Sequence, residues 1–188
     1  MTNWGQKTID ALKKATLPVG YKTASRFNYT QGAVEGVRYS DNLSGKDIAN
    51  LMRNELKEVF PDCKFSITRQ SYSGGQSITV ALMSAPFEVF NKTYTKDKNG
   101  NVYTEKDYGY AQLNEYTTRE ATENYANKDG YNNGSYLTDK AREVLKYAVK
   151  LSDSYNFDDS DGQIDYFHTN FYLHLQIGRW DKDFKVIS

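Results

Sequence analysis

The clearest periodicity in the chain runs from residue 44 to residue 82 and begins with a predicted helix. Apolar residues recur at helical spacing in its first half, at Ile48, Met52, Leu56 and Val59. Ser44 and Asp47 stand three residues apart, which is the spacing of a capping box at a helix start. Pro61 disfavours a helical conformation at the residue before it. The pattern therefore predicts a helix over residues 45–60.

Two alternating runs follow the proline and predict a pair of strands. Lys64–Gln70 and Gln76–Leu82 each place apolar residues at every second position, with Ser or Thr between many of them. Gly74–Gly75 lies between the runs and can supply the positive φ that a tight turn requires. We predict an antiparallel hairpin whose aliphatic side packs against the helix.

Two further periodic segments complete the predicted core. A helical stripe over residues 138–153 is formed by Leu137, Ala141, Val144, Leu145, Ala148 and Leu151. A strand over residues 171–177 alternates large apolar residues with polar ones. We predict an α+β fold: a two-layer antiparallel sheet with both helices packed on one face, a polar, Tyr-rich opposite face, and an exposed β-hairpin insertion.

Residues 91–136 differ from both flanks and are predicted to be an insertion in a single domain spanning residues 1–188. This segment is rich in Tyr and Asn, and the core is assigned to residues 38–90 and 137–188. Asn99–Gly100 is a strong hairpin-turn dipeptide, and its flanking arms carry few aliphatic residues. We predict an exposed two-stranded finger over residues 92–106.

Composition excludes some classes of protein. The chain has 24 basic and 24 acidic residues, so its net charge of zero argues against a generic polyanion binder and against an acidic nucleic-acid mimic. The single Cys63 rules out an internal disulfide, and its position after a helix end predicts a structural role. No segment reaches the roughly 20 apolar residues needed to span a bilayer. We expect a soluble chain in the host cytoplasm.

Candidate catalytic and metal chemistry is sparse. His168 and His174 would lie about 20 Å apart in an unbroken strand, on its polar face, and could not share a metal. The acidic loop Asp158–Asp165 lacks suitable ligands at both essential ends of a calcium loop. No nucleophile elbow, zinc cluster or dinucleotide fingerprint is present. We therefore predict no metal and no cofactor, and favour a non-enzymatic function.

Several segments carry a family resemblance. Ile48–Pro61, Lys64–Ile67 and Tyr72–Ile78 together resemble the large polyvalent protein-associated domain family, type twenty-nine. The segments Asp161–Tyr166, Asn170–Tyr172 and Ile177–Lys182 are similar to the closing strand region of that family. Its members occur in proteins of phages, plasmids and other mobile elements, often fused to anti-restriction or DNA-processing modules. The resemblance implies a mobile-element origin and assigns no catalytic residue.

The leading hypothesis is a phage or mobile-element protein that binds and inhibits a host component, such as an antiviral defence nuclease. The chain contains 16 tyrosines, and tyrosine supplies large contact area at low entropic cost. The predicted contact residues lie on and beside the finger: Tyr94, Lys96, Lys98, Tyr103, Tyr108, Tyr110 and Tyr116.

The alternative hypothesis is a nucleic-acid-binding accessory protein that uses the polar sheet face. Aromatic rings beside basic residues on a sheet can stack nucleobases. The candidate residues for this role are Arg69, Tyr72, Tyr166, Tyr172, His174 and Arg179.

Overall fold

The structure is a computed structural model that describes residues 21–24, 32–90, 94–96, 102–104, 109–113 and 137–187. Two helices occur within these ranges, α1 (Gly45–Val59) and α2 (Asp139–Tyr155). The strands of the same ranges are β1 (Tyr21–Thr23), β2 (Val34–Gly36), β3 (Lys64–Tyr72), β4 (Gly75–Ala85), β5 (Tyr94–Lys96), β6 (Val102–Thr104), β7 (Ala111–Leu113), β8 (Phe157–Asp158), β9 (Tyr172–Ile177) and β10 (Lys185–Val186).

Helix α1 begins with the predicted capping box. The Ser44 hydroxyl accepts a hydrogen bond from the Asp47 amide at 3.2 Å, and the Asp47 carboxylate accepts one from the Ser44 amide at 3.0 Å. The Ser44 hydroxyl also donates to the Asp47 carboxylate at 2.5 Å, and this hydrogen bond, together with that from the Ser44 amide, holds the pKa of Asp47 below its ordinary value. The predicted apolar stripe is buried along the helix, and the last helical residue is Val59. The predicted helix is thereby confirmed.

Strands β3 and β4 form the predicted antiparallel hairpin. Tyr72 lies opposite Gly75, so the turn consists of Ser73 and Gly74. Gly74 has a φ of 88°, a left-handed conformation that glycine adopts without steric cost. The pairing extends from this turn along the whole of β3, which makes the hairpin slightly longer than predicted.

The main sheet has the order β3–β4–β9–β7, with β10 pairing the end of β4. The predicted α+β class is confirmed, and β3–β4 is antiparallel as predicted. The pairing of β7 with β9 is antiparallel as well. Strand β9 runs parallel to β4, so the sheet is mixed, which corrects the expectation of a wholly antiparallel sheet. The reason is that α2 lies between β4 and β9 in the chain, and a crossover through a helix joins parallel neighbours.

The hydrophobic core lies between this sheet and the two helices. Its fully buried side chains come from α1, α2, β4 and β9, and include Met52, Leu56, Ile78, Leu82, Leu145, Leu175 and Ile177. Helix α1 packs mainly on β3, and α2 packs against α1 and β9. Both predicted helices therefore lie on one face of the sheet.

A second, smaller sheet, β1–β2–β8, lies at the C-terminal end of α2. The Gly36 amide donates to the Asn156 carbonyl, and the Arg38 amide donates to the Ser154 carbonyl, both at 2.7 Å. A Cβ atom on Gly36 would lie 2.2 Å from the Ser154 carbonyl oxygen, so only glycine permits this approach.

The described parts of residues 91–136 contribute two features. Strands β5 and β6 pair antiparallel with each other on either side of Asn99–Gly100, as predicted for the finger. Strand β7 was not predicted, and it pairs with β9 at the edge of the main sheet. Its three residues are too few to show a period. The remainder of this segment, including residues 117–136, lies outside the described residues.

Candidate protein-binding surface

The face of the main sheet that points away from the helices carries an uncharged surface, which we call the outer face. The strand register forms side-chain rows across it, Thr68–Thr79–His174 and Gln70–Ser77–Tyr172. Tyr172 is 40% exposed and Tyr72 is 46% exposed, whereas Ser77 is buried at the centre. Among the described residues, the outward positions of the four strands hold no Lys, Arg, Asp or Glu. These positions, counted from Ser66 in β3, are Ser66, Thr68, Gln70, Tyr72, Ser77, Thr79, Ala81, Met83, Tyr172, His174, Gln176 and Gln112.

Only some of the predicted nucleic-acid-binding residues share this outer face. Tyr72, Tyr172 and His174 lie on it. Arg69 lies opposite Ile78 on the helix side of the sheet, where its Nε donates to the Gln76 Oε1 atom at 2.9 Å. The sequence itself indicates this placement, since Arg69 follows Phe65 and Ile67 at two-residue spacing and therefore lies on the same side of the strand.

The other two candidates lie beyond the ends of β9. Arg179 follows the strand in a turn, where its guanidinium pairs with Asp181 at 3.1 Å. Tyr166 precedes β9 in a loop, with its ring centroid 6.1 Å from that of His168. The strand begins only at Tyr172, so His168 does not share the polar face with His174 as an unbroken strand would require. The His168 ring instead makes an edge contact with Phe157.

The predicted contact residues of the finger are described less fully. Tyr94 and Lys96 lie in β5 and Tyr103 lies in β6, where the structure describes the backbone pairing. Tyr110 precedes β7 and is half-buried. The remaining predicted contacts lie outside the described residues: Lys98, Tyr108 and Tyr116.

A groove between α1 and α2, with a volume of about 420 Å³, is organised around Glu55. One carboxylate oxygen of Glu55 pairs with Arg38 Nη1 at 2.6 Å, and the other accepts a hydrogen bond from the Tyr147 hydroxyl at 2.8 Å. The Arg38 guanidinium also lies 5.7 Å from the centre of the Tyr155 ring. Arg38 precedes α1, Glu55 belongs to α1, and both tyrosines belong to α2, so these contacts connect the segment before α1 to both helices.

The electrostatics of this groove favour a fixed network. Burial, together with the hydrogen bond to Glu55, raises the pKa of Tyr147, so its hydroxyl remains a donor. Burial of Arg38 opposes its charge, but hydrogen bonds to Glu55 and Tyr155 raise its pKa overall. Both oxygens of Glu55 are occupied, which makes the arrangement a structural link between helices.

The acidic loop before β9 forms local turns. Asp161 Oδ1 accepts a hydrogen bond from the Gln163 amide at 2.8 Å, which is an Asx-turn contact. Within the described ranges, no three His, Cys, Asp or Glu side chains approach closely enough to hold a metal ion. Neither described helix is long and apolar enough to cross a membrane.

Cys63 is buried, and burial, with a smaller effect of Asp62, raises the pKa of its thiol to about 12. We expect a thiol reagent at pH 8 to label it slowly until denaturant unfolds the chain. The thiol ionises at lower pH when unfolded, so its contribution to stability is complete below pH 9 and is lost as pH rises towards 12. The free energy of unfolding of Cys63→Ala should therefore fall less steeply than that of the wild type as pH rises over that interval. Fast labelling of the folded protein would contradict the prediction.

A basic stripe of helix α1 beside β3 was not among the predicted sites. One exposed stripe of α1 consists of Lys46, Asn50, Arg53 and Lys57. The opposite stripe, which includes Leu51 and Glu58, lines the groove towards α2. Arg53 Nη2 donates to the Ile67 carbonyl at 2.7 Å, so the basic stripe overhangs the outer edge of β3. Helical spacing alone could have revealed it.

Comparison with known proteins gives a family. The model of large polyvalent protein associated domain 29 matches residues 43–171, which include α1, the β3–β4 hairpin and α2. The match runs through residues 91–136 and ends one residue before β9. No curated protein and no solved structure is significantly similar to this chain. The chain belongs to the large polyvalent protein associated domain 29 family, which makes it a protein associated with phages or other mobile elements.

Proposed function

We propose that the protein binds and inhibits a host protein in the cytoplasm of the host cell, the target being an antiviral defence nuclease of the CRISPR or restriction type. The observation that supports this most is the outer face, where Tyr172 and His174 are exposed among uncharged neighbours. Centres of protein–protein interfaces are depleted in charged residues and enriched in tyrosine. Blocking a host defence would also benefit a phage or mobile element.

The finger extends this proposed contact region. Within the described residues β5 and β6 pair only with each other. A two-stranded ribbon gains little stability by itself, so a partner that covered it would add stabilising contacts. Tyr94 and Tyr103 belong to these strands and are retained as contact residues.

Nucleic-acid binding is the alternative function. A site that holds single strands combines stacking aromatic rings with cations that contact phosphates. Tyr172 could stack a base, but the described outward strand positions around it supply no cation. An affinity for oligonucleotides that falls steeply with salt would favour this alternative over protein binding.

The proposed function is tested by phage plating on bacteria that carry a CRISPR or restriction nuclease active against that phage. Expression of the wild-type chain should raise plating by at least about tenfold, and the double variant Tyr172→Ala/His174→Ala should lose that gain, since interface aromatics often dominate binding. The gain should be absent in bacteria without the nuclease.

Trp180→Ala is the matched control, because Trp180 is an 81% exposed aromatic residue in the turn after β9, beyond the strand positions that form the outer face. This variant should protect the phage as well as the wild type does. Plating that the wild-type chain leaves unchanged across CRISPR and restriction hosts would contradict the proposed function. Equal loss with Trp180→Ala would contradict the role given to the outer face.

A further inference from the structure

Strand β3 has an open edge. It pairs with β4 on one side, and no described strand pairs with it on the other. Residues 68–72 are exposed, so this half of the strand extends beyond the cover that α1 gives to Ile67. An open edge of this kind is where an added strand can pair.

The direction of the backbone groups follows from the hairpin turn. Tyr72 and Gly75 flank a two-residue turn, and such a flanking pair exchanges both of its backbone hydrogen bonds. Pairs then alternate, so Ser71, Arg69 and Ile67 direct their amides and carbonyls away from β4. The Arg53 hydrogen bond to the Ile67 carbonyl agrees with this alternation.

Five cations surround this open edge. Lys46, Arg53 and Lys57 belong to the basic stripe of α1, and Lys64 and Arg69 belong to β3. The stripe and β3 contain no Asp or Glu, and none of the five has an ion-pair partner among the described residues. Arg53 and Arg69 bond only uncharged groups, so their positive charge is not neutralised.

We propose that the open edge of β3 binds an extended acidic segment of the partner protein as an added strand. Backbone groups of Arg69 and Ser71 would supply the ladder hydrogen bonds, and acidic side chains of the segment would pair with these five cations. The same cations discourage edge pairing by basic or aggregating strands, so the edge selects by charge. This inference deepens the proposed function and rests on it only for the identity of the partner.

The probe is a short peptide of alternating Glu and Val, with a peptide of alternating Lys and Val as its control. Amide hydrogen exchange, read by NMR, should slow at Arg69 and Ser71 when the Glu peptide is added and stay unchanged with the Lys peptide. Protection at these amides is the signature of an added strand, because charge attraction alone leaves them open to water.

Two variants separate the backbone contribution from the charge contribution. Ser71→Pro removes an outward amide and should weaken binding of the Glu peptide by about tenfold. Arg53→Gln/Lys57→Gln should weaken it to a similar extent, and Lys182→Gln, which removes an exposed cation beyond β9, should not. Circular dichroism checks that each variant is folded.

Several outcomes would overturn the inference. One is that the Glu peptide fails to bind, and another is that it binds without protecting the amides of Arg69 and Ser71. A thymidine oligonucleotide that bound to the basic stripe in place of the peptide would also overturn it. If the chain inhibits a defence nuclease and Ser71→Pro inhibits equally well, the proposed function stands and the strand-addition inference fails. If the Glu peptide binds as described and phage plating never changes, the strand-addition inference stands and the proposed function fails.

Discussion

Replacing Leu56 with alanine is expected to lower the free energy of unfolding by about 2–5 kcal/mol. Leu56 is fully buried on the core side of α1, where its removal leaves a cavity between the helix and the sheet. Urea unfolding followed by circular dichroism measures the change. Such a loss could unfold a large fraction of the chain, since domains of this size have a free energy of unfolding of about 5–15 kcal/mol.

Leu51→Ala on the same helix is the matched control. Leu51 is 39% exposed and lines the groove, so its truncation removes less buried surface and should cost about 1 kcal/mol or less. Both variants have the same change in helix propensity, and their difference isolates burial. Equal losses would mean that α1 does not pack on the sheet through the stripe containing Leu56.

Asn156→Ala is expected to cost about 3–5 kcal/mol, because the buried amides of Phe157 and Phe171 lose their acceptor. The Asn156 Oδ1 atom accepts from the amides of Phe157 at 3.0 Å and Phe171 at 3.2 Å, and its Nδ2 donates to the Phe171 carbonyl at 3.0 Å. In the variant the Phe171 carbonyl keeps a hydrogen bond of 3.3 Å from Thr169 Oγ1 but loses the shorter one. This side chain joins the end of α2 to the start of β9. Urea unfolding gives the loss, and faster amide exchange at Phe171 would locate it.

Asn170→Ala serves as the control for Asn156→Ala. Asn170 is only half-buried, and its Nδ2 makes one long hydrogen bond of 3.4 Å to the Tyr155 carbonyl. Its truncation should cost about 1 kcal/mol or less. A small effect of Asn156→Ala, comparable to that of Asn170→Ala, would contradict the proposed link between α2 and β9.

Features fixed by nearby residues could be predicted from the sequence. The capping box of Ser44 and Asp47 and the stop at Pro61 set the limits of α1 to within a residue. The turn at Gly74 and the alternation around it set the β3–β4 hairpin. In each case the determining contacts lie within a few residues, where propensity and periodicity carry the information.

Features that depend on distant pairing could not be predicted. The alternation of Leu173, Leu175 and Ile177 is the same whichever way β9 runs, so it does not encode the parallel pairing with β4. Strand β7 is defined by its pairing with β9, a strand far away in the chain, and its own three residues show no period. The candidate surfaces divide in the same way. The charge stripe of α1 is readable from spacing, whereas the open edge beside it follows from the strand order.

The parallel pairing of β4 with β9 also has a consequence for synthesis on the ribosome. Helix α1 and the hairpin involve contacts between near neighbours in the chain, so they can form early. Strand β9 lies roughly 90 residues after β4, which takes about 5–20 s to translate at ordinary rates. During that interval the second edge of β4, with Ile78, Val80 and Leu82 beside it, lacks the described strand that pairs with it in the folded protein. We therefore expect the nascent chain to be prone to aggregation at this edge of β4 until Tyr172–Ile177 has been synthesised.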